Sequence, residues 1–173
     1  MSRSLCATVA ALGMLSIVPA HAKAGDWPSA AGTIFTQVVS DPTTFAPSIT
    51  SYTAERLDWT SSQVFFQHGY LERNAQFTVS GFGDDVPVSV AAGRRIILKN
   101  SLQDLEASLV NNVAVRIVER TLVGRHPKRE KFIQTIGWIE RISFAVGLAT
   151  VQSANHFRQW RQNVRSAREL GYR

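Results

Sequence analysis

The stretch LKNSLQDLEASLVNNVAVRI, residues 98–117, decides the fold class. Leu98, Leu102, Leu105 and Leu109 recur at steps of 4, 3 and 4, and Val113 and Ile117 continue the row. Side chains at such steps share one face of a helix with about 3.6 residues per turn, so a long helix is predicted over roughly 91–124. Ser101 and Asp104 stand at capping-box spacing, which predicts a restart or a kink inside it. Gly124-Arg125-His126-Pro127 then reads as a stop and a turn, with glycine at the exit of one helix and proline early in the next.

Downstream, residues 128–170 form one continuous helical pattern. Phe132, Ile136, Ile139, Ser143, Val146, Thr150, Ser153, Phe157, Trp160, Val164 and Ala167 follow steps of 3 and 4. A single helix of that length measures about 60 Å, which predicts a bend near Gly137 or Gly147, or an end projecting beyond the core. The run 142–151 is nearly all apolar, but Gln134, Glu140, Arg141 and Gln152 flank it. It reads as a buried helix segment too short to span a bilayer.

Upstream the signals are shorter. Residues 29–39 read as a helix stopped by Asp41-Pro42, residues 41–47 as a connector, and residues 53–67 as a second helix closed by Gly69. Ala75, Phe77 and Val79 alternate with polar residues, as do Val86, Val88 and Val90, around Gly81-Phe82-Gly83-Asp84-Asp85. Two readings fit: a β-hairpin, with Pro87 confining its second strand to an edge, or an extended loop whose Asp84, Asp85 and Ser89 cap the next helix. The fold class is therefore mainly α. Two long antiparallel C-terminal helices pack with two shorter N-terminal helices, and a small loop or β-hairpin insert lies at about 70–90.

The N-terminus has the three parts of a cleavable signal peptide: Arg3, a mostly apolar stretch from Leu5 to Val18, and Ala20-His21-Ala22. Cleavage after Ala22 leaves residues 23–173 as a single helical domain and places the product in the periplasm or outside the cell. Cys6, the only cysteine, leaves with the signal, so stability has to come from packing without disulfides. Cys6 precedes the apolar stretch instead of following it, which argues against a lipid anchor.

Charge is divided unevenly. Positions 23–115 carry 6 basic and 9 acidic residues, while 116–173 carry 12 and 4. A basic C-terminal third predicts attraction to an anionic partner. For an exported chain that means an anionic membrane surface, an envelope polysaccharide or an acidic protein, and nucleic acid is not expected. The other reading of the charge is a solvated face that confers solubility.

Motifs that carry chemistry are missing. His68, His126 and His156 lack partners at metal-ligand spacing, so neither a metal nor a cofactor is expected. There is no nucleophile elbow or phosphate loop. Glu119, Glu130 and Glu140 sit among basic residues at helical spacing and read as surface ion pairs. One constellation stands out: Arg158, Arg161, Arg165 and Arg168 fall within an arc of about 80° at 100° per residue, beside Phe157, Trp160 and Val164. That is the layout of an interfacial amphipathic helix, and also of an ordinary helix whose arginine stems cover inward aromatics. The sequence thus favours a non-enzymatic binding protein using Arg158, Arg161, Arg165, Arg168 and Trp160. The alternative is a hydrolase whose site the fold assembles from dispersed groups, such as His156 with Glu140 or Asp58.

Overall fold

The computed structural model describes residues 27–172, and the signal peptide expected at 1–22 lies outside the described residues. Four helices make the fold, with no strands among the described residues: α1 (Trp27–Val39), α2 (Pro42–Gln67), α3 (Val90–Arg125) and α4 (Glu130–Glu169). The long C-terminal helix packs on the shorter N-terminal ones, so the chain is mainly α. Among the described residues no helix is long and apolar enough to cross a membrane.

The expected connector at 41–47 is instead the first turns of α2. Asp41 caps it, its Oδ1 accepting from the Thr43 amide at 3.1 Å and the Thr43 hydroxyl at 2.8 Å. Pro42 follows at the first helical position, where a missing N–H costs nothing. Pro47 lies inside the helix and is fully buried, so tertiary packing overrides its helix-breaking tendency. At the other end Gly69 has φ +83°. The Gly69 amide donates to Phe66 O and the Tyr70 amide to Phe65 O, the two bonds of a Schellman cap.

Neither reading of the insert is complete. Asn74 caps a short 3₁₀ turn at Ala75–Phe77. Antiparallel pairing then survives as single bridges, Glu72 to Asp85 and Thr78 to Pro87. Pro87 has no amide proton to extend a ladder. Ser89 does cap α3, its Oγ accepting from the Ala92 amide at 3.2 Å. Asp84 and Asp85 do not: Asp84 faces Arg73, and the Asp85 carboxylate accepts from the Ser80 amide.

The described residues divide into two compact units: 27–46 with Leu105–Val146, and Pro47–Asp104 with 147–172. In the second unit Trp59, Phe77 and Ile97 form a core flanked by Tyr52, Phe66, Val88 and Ile96. The Trp59 indole occupies the space that a Cβ on Gly93 would need, so glycine lets α3 lie against α2. In the first unit Ile34 and Val38 of α1 are buried, but most of the remaining interior is polar.

The helical periodicity is present and its phase differs from expectation. On α3 the inward row is Ile97, Ser101, Asp104, Ser108, Asn112 and Glu119. Of the expected row, Leu98 and Leu102 are 52% and 54% exposed and Ile117 is exposed too, while Leu105, Leu109 and Val113 are half-buried. Ser101 and Asp104 cap nothing. Ser101 pairs with Ser48, Asp104 accepts from Gln152, and the helix runs through unbroken. On the first half of α4 the inward residues are Gly137, Arg141 and Ala145, while Phe132, Ile136, Ile139 and Val146 face solvent. Further along, Ser153 of the expected row is buried and Phe157, Trp160, Val164 and Ala167 are half-buried, as expected. The run 142–151 is therefore not a buried segment. Gly137 marks a close approach, since a Cβ there would collide with the Glu119 carboxylate.

Candidate functional site

Two polar clusters and one charged face are the places where chemistry or binding could reside. The first cluster lies in the unit containing α1. Asp41 Oδ2 accepts from Arg141 Nε at 3.0 Å and from Arg116 Nη2 at 3.3 Å. The carboxylate of Glu119 closes the ring, accepting from Arg141 Nη1 at 2.7 Å and Arg116 Nη1 at 3.1 Å. Asn112 Nδ2 donates to the Thr43 and Thr44 hydroxyls beside it. Burial works against the charge of Asp41, but the two Thr43 hydrogen bonds, with Arg141 and Arg116, hold its pKa below the usual carboxylate value. Glu119 is thus a buried bridge between helices, correcting its reading as a surface pair. Two arginines against two carboxylates sum to zero, although among the described residues the buried Arg116 Nε has no hydrogen-bond partner. Glu140 accepts instead from Asn111, and Glu130 from Gln134.

The second cluster lies in the other unit. The fold brings His156 to Asp58, with Nδ1 donating to Oδ2 at 2.8 Å. Asn163 Nδ2 donates to the other Asp58 oxygen and to the Ser61 and Ser62 hydroxyls. The Asp58 hydrogen bond, opposed by burial and helped by the charges of Asp58, Glu55 and Glu72, raises the His156 pKa. Glu72 is itself pushed up, mainly by burial. An Asp-oriented histidine is half of a general-base arrangement. The other half is missing at the serines: Ser61 and Ser62 both spend their protons on Asp58 O. Among the described residues no group of three or more His, Cys, Asp or Glu could hold a metal ion.

The charged face is the C-terminal part of α4. Arg158, Arg161, Arg165 and Arg168 are all exposed, while Phe157, Trp160 and Val164 are half-buried. Among the described residues none of the four guanidinium groups has a carboxylate partner. Phe157, Arg158, Arg161 and Arg165 line an open hollow of about 470 Å³. A second hollow of about 180 Å³ is lined by Arg116, Glu119, Arg120 and Gln134 with Ile34, and neither hollow includes Asp58 or His156.

Sequence reasoning named the arginine row and, among its alternatives, the His156–Asp58 pair. The ion-pair ring went unseen, although Arg116 and Glu119 stand at i,i+3 spacing and Gly137 marks a tight crossing. The remaining histidines are at helix ends. His68 stacks on Tyr172 at 3.8 Å, and His126 opens the 3₁₀ turn at Pro127–Arg129. Comparison with family models, with curated proteins and with solved structures finds no match.

Proposed function

We propose that this chain is exported after cleavage behind Ala22 and acts as a binding protein, its basic α4 face attaching to an anionic surface. The observation that carries the reading is the row of four exposed guanidinium groups without carboxylate partners among the described residues. Within the row itself the charges are unfavourable, because like charges at helical spacing repel. An anionic surface relieves that repulsion and contributes about 1 kcal/mol per basic residue close to it.

The chain beginning at Lys23 is expected to bind vesicles containing phosphatidylglycerol, or an acidic polysaccharide, with an affinity that falls as salt rises. Changing Arg158, Arg161, Arg165 and Arg168 together to Gln should weaken the salt-sensitive part of that binding severalfold or more and leave the melting temperature nearly unchanged. Lost stability in the variant with no salt-sensitive binding in the parent would reduce the arginines to packing elements. A second reading, hydrolysis at His156, draws on its 2.8 Å contact with Asp58. Model esters, phosphoesters and glycosides, with His156→Gln as the blank, test it.

A further inference from the structure

The row Phe132, Ile136, Ile139 and Val146 lies on the side of α4 away from the interior. These side chains are 65%, 51%, 48% and 60% exposed. At about 100° per residue they fall within an arc of about 80°, and the buried Gly137, Arg141 and Ala145 lie on the opposite side. A soluble helix normally turns its apolar stripe inward. Here the ion-pair ring with Asp41 and Glu119 holds Arg141 inward, so the apolar row is presented outward.

The charges around the head of this row indicate what it meets. Arg125, Lys128, Arg129 and Lys131 cluster at the start of α4 and are exposed. Among the described residues none of them has a carboxylate partner. An apolar row headed by unpaired cations complements acyl chains beneath anionic headgroups. Lys128 and Lys131 weigh against a protein partner, since lysine is depleted at protein interfaces even though arginine is enriched there. We infer that this row is a lipid-insertion face, by which the chain seats α4 in the headgroup region of an anionic phospholipid bilayer. The inference rests on the proposed function only for the sign of the surface charge, because it uses different residues.

The chain from Lys23 has no cysteine of its own, so Ile139→Cys can carry an environment-sensitive fluorophore. On phosphatidylglycerol vesicles the label should shift to the blue and be quenched by lipids brominated on the acyl chain. The unlabelled chain should stay partly bound in about 1 M salt, where the Debye length falls to about 3 Å. A variant with Phe132, Ile136, Ile139 and Val146 all changed to Ser should fold as before but be released by that salt, with partitioning weakened about tenfold or more. The inference is overturned if the label stays aqueous on vesicles, or if variant and parent leave at the same salt. It is also overturned if the label is shielded without lipid and the chain runs as a dimer, since a second copy then covers the row. Failure of the arginine reading is separate: it appears as unchanged low-salt binding when the four C-terminal arginines become Gln.

Discussion

His156 ties α4 to α2 through one hydrogen bond to Asp58, and that bond has a pH window. The folded pKa lies above the ordinary 6.5, owing first to Asp58. The stability it contributes is therefore fully present below about pH 6.5 and lost as pH rises through the raised value. His156→Gln should cost about 1–2 kcal/mol at pH 5.5 and less at pH 9, read as the gap between denaturation midpoints. A gap that widens with pH would show that the charged pair is not what the contact contributes. Ser108 makes the opposite case. Its hydroxyl is fully buried on α3, and among the described residues it has no hydrogen-bond partner. Ser108→Ala removes an unsatisfied polar group, so stability should rise by up to about 1 kcal/mol. A loss in urea denaturation would mean that the hydroxyl is bonded after all.

At the scale of elements, periodicity and phase separate. The steps of 3 and 4 in residues 98–117 correctly indicate a long helix, because any side chains so spaced share a face. They do not say which face turns inward. Ser101, Asp104, Ser108 and Asn112 repeat with the same steps one position before Leu102, Leu105, Leu109 and Val113, and Glu119 follows on the same buried side. Apart from Ser108, their partners, Ser48, Gln152, Thr44 and Arg141, lie on other helices and far off in sequence. Hydropathy favours the leucine row, and specific hydrogen bonding favours the polar one. The arginine row was legible because it needs no partner, whereas the Asp41 ring was not because its members come from three helices. Paired substitutions expose the phase directly. Leu102→Ser should change stability by no more than about 0.5 kcal/mol, as at other exposed sites. Ile97→Ala, which empties the core beside Trp59, should cost about 2–5 kcal/mol. Equal losses in chemical denaturation would restore the leucines to the interior.

For the molecule as a whole, the two proposed binding faces and the polar interior are aspects of one distribution of residues. Apolar side chains that α4 does not bury are available to a partner, and basic residues not spent on internal carboxylates are available to an anionic one. The same distribution bears on heat capacity. Unfolding raises heat capacity when it hydrates apolar surface and lowers it when it hydrates polar surface. In this chain much apolar surface is already hydrated in the folded state, and buried serines, threonines, asparagines and charged groups are what unfolding wets. Calorimetric unfolding of the lipid-free chain at several pH values should give an increment below the usual roughly 12–15 cal/mol/K per residue. A smaller increment means a stability curve that is broad and flat in temperature, so warming and cooling should change the folded population less than in a domain of the same length with an aliphatic core.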